Sequence, residues 1–509
     1  MSVLGKLSLV SGATLASRVL GLFRDILFFA VFATTLYGEA FLLAFTIPNL
    51  FRRMLGEGTL SSAFIPVFSG LVNKGKEEHA WSLLNQTLTR LFTYLGLLTL
   101  VVCFLSWVLF EFTFFDEAKW QLASLLNCTT FSYALLICGT SLLIASLNVK
   151  GKFLEGASSP LILNCVLIIC LAVGIFFQIN DLLYFVFLLG LAVLLAGVLQ
   201  TLVPWLSLRR NTDWRWQLDY KDNESLREVK SLFWVGAIGA AVAQINILVS
   251  RFLAFSLDDA GGVSLLYLSA RLVELPLGVF AIALSTVLFP ELAKSSNLGN
   301  ESKYQNSFYL GLRLIFALTI PSAIGLFFLP ELIIGVLFQW NNFGNAEVSQ
   351  ASEVLKVAAW TIPAYASSTF LVKALHSKKN MKAPFQAAMI SLIANTCFSI
   401  FLMKDFGIIG LSLANLLAAY TQCAFLAFRC NSFRIRSLFD SQRVDVIRIL
   451  VASLVLGALL FFGRDLFNTG TDKIEMVLQL ACLMILGILG YMVSLFTLKF
   501  SWFINKKES

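Results

Sequence analysis

Apolar segments of about 20 residues or more recur from one end of this 509-residue chain to the other, each long enough to cross a bilayer as a helix. Backbone polar groups in hydrocarbon have no water to bond, so each segment must satisfy its own N–H and C=O groups, which helices do and open sheets do not. Only 13% of the residues are charged and 58% are hydrophobic, whereas a soluble domain carries about a quarter charged residues. The expected fold class is therefore an all-α integral membrane protein. The spans number about fourteen, near 6–35, 38–71, 84–114, 120–148, 154–178, 182–207, 227–256, 262–290, 304–329, 348–374, 382–403, 406–429, 444–466 and 474–499. Lys6 and an apolar stretch open the chain, but Arg18 and Arg24 interrupt it and no plausible cleavage site follows, so no cleavable signal peptide is expected.

The net charge of +8 reports topology rather than a nucleic-acid partner. Alternate connections are basic: Lys74 and Lys76; Lys150 and Lys152; Arg209, Arg210 and Arg215; Lys294 and Lys303; Lys378, Lys379 and Lys382; Arg434, Arg436 and Arg443. Those between them are acidic or nearly neutral: Glu39; Asp116, Glu117 and Lys119; Asp181; Asp258 and Asp259; Glu331 and Glu347; Lys404 and Asp405. This positive-inside pattern places both termini and every basic connection in the cytoplasm. The nine cysteines form no CxxC pair and lie mostly in apolar helices, as small buried hydrophobes do. With His79 and His376 the only histidines, no metal site is expected.

The longest cytoplasmic connection, 208–226, separates two blocks of six spans, and its tryptophans are expected at headgroup level. Ser61-Ser62-Ala63-Phe64-Ile65-Pro66 closes the second span and Ser285-Thr286-Val287-Leu288-Phe289-Pro290 the eighth, 224 residues later. An even number of spans per block makes this a parallel repeat, and two like lobes are expected to enclose a central cavity at their interface. The expected divisions are an N-lobe 1–207, the linker 208–226, a C-lobe 227–430 and an appendage of two helices in 431–509.

Ionisable side chains deep in spans cost about 2.5 kcal/mol or more at the bilayer centre and normally serve transport. Arg18 lies about 18 Å into the first span, near the midplane, with Arg24 and Asp25 further outward. A self-neutralising Arg18–Asp25 pair is the structural alternative, and it leaves one arginine over. In the second span Glu39, Thr46, Asn49, Arg53 and Glu57 project onto one stripe at 100° per residue, with Arg52 beside it. Arg53 and Glu57, at i and i+4, are an alternative structural pair, and Pro48 with Gly56 and Gly58 offers a bend. The second block contributes Arg271 and Glu274 at i, i+3 and Lys373, for which snorkelling to the interface is the alternative. Arg90, Arg251, Arg313 and Lys356 are read as snorkelling or packing residues. Guanidiniums gathered near mid-membrane suit a diphosphate, whose oxygens accept bidentate hydrogen bonds. Asp25, Glu39, Glu57 and Glu274 temper the positive charge and offer switching ion pairs.

Ser17-Arg18-Val19-Leu20-Gly21, Arg24-Asp25, Ile47-Pro48-Asn49-Leu50-Phe51-Arg52-Arg53, Gly56-Glu57-Gly58 and Ser62-Ala63-Phe64-Ile65-Pro66 closely resemble the MurJ (MviN) family of lipid II flippases. So do Arg271-Leu272-Val273-Glu274-Leu275-Pro276-Leu277-Gly278-Val279, Leu288-Phe289-Pro290, Leu337-Phe338-Gln339 and Gly410-Leu411-Ser412. The resemblance implies a fourteen-helix member of the multidrug/oligosaccharidyl-lipid/polysaccharide exporter superfamily. Its two lobes would surround a cationic cavity, and its last two helices would form a groove for a polyprenyl tail. By position it makes Arg18, Arg24, Arg52, Arg53, Arg271 and Lys373 substrate-binding residues, beside Asn49, and Glu274 a cavity acid. The chain departs from the family at Glu39, often aspartate, Thr46, often lysine, and Ala270, often aspartate, and the loop after Lys373 is shortened.

The function this implies is translocation of lipid II, the undecaprenyl-diphosphate-linked peptidoglycan precursor, across the bacterial cytoplasmic membrane by alternating access. No covalent chemistry and no cofactor are expected. Coupling to an ion or to the membrane potential is, with the ion unspecified, because the seventh, eleventh and twelfth spans show no convincing acid for the sodium site some relatives use. The partners are lipid II and the bilayer, the chain working as a monomer beside the cell-wall synthesis machinery. The competing readings are a flippase for another polyprenyl-diphosphate glycan and a cation or drug antiporter of the same superfamily. A glycosyltransferase is disfavoured by the absence of DxD, HExxH and GxxxxGK signatures.

Overall fold

The computed structural model describes residues 3–111, 118–257, 261–430, 443–466 and 472–500, without the side chains of 3–11, 56–58, 235, 238, 282–283, 443–444 and 465–466. Asp116, Glu117, Asp258, Asp259, Arg434 and Arg436 lie outside the described residues. Every element among the described residues is helical. Among the described residues ten helices are long and apolar enough to cross a membrane, or eleven if Glu224–Trp234 and Gly239–Phe255, bent by 47°, count as one span. The chain divides into two units, residues 1–248 with 340–342, and 249–339 with 343–509.

The first unit runs α1 (Val3–Phe32), α2 (Leu36–Phe51), a π-helical segment (Arg52–Thr59), α3 (Leu60–Asn73), α4 (Glu77–Glu111), α5 (Ala118–Val149), α6 (Leu154–Phe176), α7 (Leu182–Asn211) and most of α8 (Glu224–Phe255). Helix ends leave carbonyls without helical donors, and those of α1 are accounted for one by one. The N–H of Ala33 closes on Phe29 O, Thr35 donates to Phe32 O through both its N–H and its hydroxyl, and Asn342 donates its N–H to Ala30 O (3.1 Å) and its Nδ2 to Val31 O (2.7 Å).

Pro48 has no N–H to give Ala44 O, and the Thr130 hydroxyl of α5 lies 3.2 Å from that carbonyl. One turn later α2 passes into the π segment. Cys138 Sγ donates to Phe51 O at 3.7 Å, and the Thr59 hydroxyl donates to Met54 O, five residues back, at 2.8 Å. The straight-helix stripe expected from Glu39 to Glu57 therefore fails beyond Phe51, because i→i+5 bonding changes the angle per residue.

The connection after α7 is part of the first unit's packing. Trp214, expected among headgroups, is 1% exposed. Its Nε1 donates to Asn85 Oδ1 at 2.9 Å and its ring meets Trp205 edge-on at 5.0 Å. Asp219 accepts from Ser82 Oγ (3.0 Å) and Gln86 Nε2 (3.1 Å), and its N–H donates to Thr89 Oγ1. Arg90 is no snorkelling residue either: it donates to the carbonyls of Tyr220 and Lys221. The sequence offered the residues but not the pairing, since Asn85 and Trp214 are 129 positions apart.

The second unit contains the end of α8, α9 (Gly262–Pro276), a second π-helical segment (Leu277–Ala281), α10 (Ile282–Asn297), α11 (Glu301–Phe328), α12 (Pro330–Phe338), α13 (Asn345–Ala359), α14 (Thr361–Ser377), α15 (Lys382–Arg429), α16 (Arg443–Leu466) and α17 (Lys473–Thr497). The displacement that carries Pro66 onto Pro290 also carries residues 53–57 of the first π segment onto 277–281, the whole of the second. The two units thus break their helical hydrogen bonding at the same point of the repeat. Helix α15 is two arms joined at Gly407, whose φ of 51° and ψ of −128° favour glycine. Just beyond, a Cβ on Gly410 would overlap the carbonyl of Leu402.

The appended pair α16 and α17 packs on α11 through Ala317, Ile324, Ile449, Leu456, Leu483 and Tyr491. Arg313, expected to snorkel or pack, donates to Asp445 at 2.8 Å, and Arg448 binds the other oxygen of that carboxylate at 2.9 Å. Asp445 is 4% exposed.

Candidate functional site

In the first unit the intramembrane charges form two small groups on different partners. Arg24 and Asp25, towards the C-terminal end of α1, form an ion pair of 2.6 Å, with Arg24 Nε a further 3.1 Å from the same oxygen. Asp25 is 2% exposed, and a carboxylate so placed is tolerable only when paired. The third guanidinium nitrogen, Nη1, donates to Asn164 Oδ1 of α6 at 3.1 Å. Asn164 Nδ2 in turn donates to the carbonyl of Ser17 at 3.0 Å. The alternative Arg18–Asp25 pair is replaced by Arg24–Asp25, and Arg18 stands exposed without an ion pair among the described residues.

The second group sits where α2 becomes π-helical. Arg52 Nε donates to Asn49 Oδ1 at 2.8 Å, both residues half-buried, while Arg53 beside them is exposed. Glu39 and Thr46 are 4% and 5% exposed, packed inside the unit, with the Thr46 hydroxyl on Leu42 O. Asn49 and Arg52 are thus brought together, whereas Glu39 lies in the buried N-terminal part of α2. The side chain of Glu57, and with it the alternative Arg53–Glu57 pair, lies outside the described residues.

In the second unit Arg271 and Glu274 form their i, i+3 pair at 3.5 Å, with Glu274 half exposed. Lys373 rests its ammonium 5.5 Å from the ring centroid of Phe289, so part of its charge is met by an aromatic face. A separate buried network joins α8 to both arms of α15. Asn395 Nδ2 donates to Ser250 Oγ at 2.7 Å, and Ser250 Oγ lies 3.4 Å from Asn415 Oδ1. All its members are neutral. Among the described residues no three His, Cys, Asp or Glu side chains gather as a metal would require.

Asn164, Asn342 and Asp445 went unremarked in the sequence. Asn164 had a signal: it is the one amide in the 23 residues of α6, and a buried amide demands partners.

A chain of many membrane-length helices, with arginines set inside them and fork-shaped donors available to an anion, defines a multi-pass helical membrane transporter. The family described as "Lipid II flippase MurJ" matches residues 28–497. The chain belongs to that family, and is a multi-pass protein of the inner membrane.

Similar proteins bear this out along the length. A probable lipid II flippase MurJ of Buchnera aphidicola subsp. Acyrthosiphon pisum is 30% identical over 486 residues, covering 92% of this chain and 93% of its relative. One from Bdellovibrio bacteriovorus is 32% identical over 434 residues, 83% and 81% of the two chains. A solved lipid II flippase MurJ in an inward closed conformation matches with a TM-score of 0.77 at 25% identity, over 96% of this chain and 97% of that one. An inward-facing MATE family multidrug transporter of the MOP superfamily shares the fold at a TM-score of 0.66 and 12% identity, over 83% and 96%.

Proposed function

We propose that this protein carries lipid II from the cytoplasmic to the periplasmic face of the inner membrane by alternating access between two lobes. The observation that carries the reading is the family match over residues 28–497 in a chain that sets Arg18 and Arg24 in α1 and Arg52 and Arg53 at the start of the π-helical segment after α2. Arg52, steadied by Asn49, and the exposed Arg18 and Arg53 supply cationic donors to the diphosphate. The paired Arg24 joins them as Asp25 releases its hold, and in the second unit Arg271, released by Glu274, and Lys373 are further cationic donors. The polyprenyl tail lies along α16 and α17, both termini are cytoplasmic, and the protein works as a monomer beside the cell-wall synthesis machinery.

The driving force in this reading is the membrane potential. A net charge carried through the field gains about 2.3 kcal/mol per elementary charge per 100 mV.

The test is a lipid II protection assay in a bacterial strain depleted of its own flippase and expressing this chain. Flipping is expected with the wild type and is expected to vanish with Arg18→Ala or Arg52→Ala at equal protein levels. Normal wall synthesis by either variant as sole copy overturns the reading, and failure of the wild type to complement points to another polyprenyl-diphosphate glycan.

A further inference from the structure

We infer that Asn164 is a positioning residue for Arg24, holding its guanidinium through an uncharged acceptor so that the seat is steadied without a second negative charge. The inference rests on the proposal that Arg24 meets the substrate's diphosphate.

Asn164 lies in the apolar run Leu161-Ile162-Leu163-Asn164-Cys165-Val166-Leu167 of α6 and is 6% exposed. Both ends of its amide are used. The Ser17 carbonyl only accepts, so Nδ2 must face it and Oδ1 must face Arg24. Anchoring one end to the α1 backbone therefore fixes which atom is offered to the guanidinium. On its other edge Arg24 is held by Asp25 through Nε and Nη2. Partners on both edges fix the guanidinium plane, and they do so from two helices.

The chemistry of the two partners differs in the respect that matters for an anionic ligand. Asp25 balances the charge of Arg24 within their pair. A carboxylate in place of Asn164 would hold Nη1 more tightly, because charge-assisted bonds are the stronger, but would leave the seat at −1 and repel a diphosphate. An amide holds the same nitrogen and adds no charge.

The isosteric exchange separates positioning from packing. Full-length protein in phospholipid nanodiscs is titrated with a fluorescent lipid II analogue, with the thermal unfolding midpoint of each variant recorded alongside. Asn164→Ala is expected to weaken binding about tenfold, the loss of one hydrogen bond to a charged group. Asn164→Asp, which keeps the shape and the acceptor for Arg24 but loses the donor to Ser17 O, is expected to weaken it more, on the order of a hundredfold.

A purely structural role predicts that the losses of affinity follow the falls in unfolding midpoint from variant to variant, and that they are unchanged in the Arg24→Ala background. Wild-type affinity in Asn164→Asp at neutral pH overturns the inference, and so does a further tenfold loss when Asn164→Ala is added to Arg24→Ala. Wild-type affinity in Arg24→Ala itself instead counts against the lipid II reading of that arginine. Should Asn164→Ala fail to fold, the isosteric variant decides alone.

Discussion

The hydroxyl of Tyr491 donates to the main-chain carbonyl of Ala317 at 2.8 Å, four residues ahead of Pro321 in α11. Proline has no N–H to close that turn, so a side chain from α17 supplies the missing donor. Thr130 reaches Ala44 O ahead of Pro48 in the same way, at 3.2 Å, its one hydroxyl hydrogen shared with Leu126 O at 3.0 Å. In both units a helix that carries an interior proline leaves a carbonyl bare, and a neighbouring helix covers it, as a bilayer interior requires.

Tyr491→Phe should lower stability by about 1–3 kcal/mol, the cost of a buried carbonyl left unsatisfied, read as a drop in the thermal unfolding midpoint. Adding Pro321→Ala, which restores an N–H at that turn, should recover much of the loss. An unchanged midpoint in the single variant would show that the bond contributes nothing.

Asp445→Asn should be more damaging, because it leaves the guanidiniums of Arg313 and Arg448 beside a neutral amide in a buried site. Breaking a buried ion pair on one side costs about 3–5 kcal/mol. Replacing all three residues by leucine or methionine should restore most of it, and unfolding midpoints of the single and triple variants make the comparison.

Docking of the connection after α7 should weaken in acid. Burial alone would raise the Asp219 carboxyl, but the N–H of Lys221 and the side chains of Gln86 and Ser82 outweigh it and hold the group below its ordinary value. A depressed folded-state pKa gives stability that is present above the unfolded value, about 3.9, and lost as pH falls through the folded one. Limited proteolysis within residues 212–223 is expected to be slow at neutral pH and to accelerate below about pH 4. Asp219→Ala should show the acid behaviour at pH 7.

Arg52→Lys keeps the charge but loses the planar fork and the Nε that Asn49 receives. Flipping in the protection assay should fall by at least about tenfold, equivalent to one charged hydrogen bond. Full activity would mean that charge alone matters at this position.

The helical membrane class was legible because it follows from solvent. Twenty apolar residues leave the backbone one way to satisfy itself, and no tertiary detail changes that. The Arg271–Glu274 pair was legible too, since i and i+3 share a face whatever the fold. The partner of Asp25 was not, because Arg24 reaches it only with Asn164 fixing the far edge of the guanidinium from 140 positions away. The stripe along α2 failed for another reason: it assumed one angle per residue through a stretch where Phe51 O and Met54 O are met by Cys138 and Thr59. Arg90 and Arg313 looked alike as isolated arginines in apolar helices, yet one holds carbonyls of a connection and the other a buried carboxylate. Chemistry named the residue type, and only packing chose the partner.

The burial of Trp214 against Asn85 bears on how the protein can be taken apart. Residues 212–223 look in the sequence like an ideal place to cut the gene or insert a reporter domain, but they form the floor beneath α4. A break there would strip one fragment of its base and leave the other carrying an orphaned indole. Fragments meant to reassemble, or fluorophores meant to leave the protein intact, belong elsewhere, such as the turn between α10 and α11 at Leu298, whose side chain is 72% exposed.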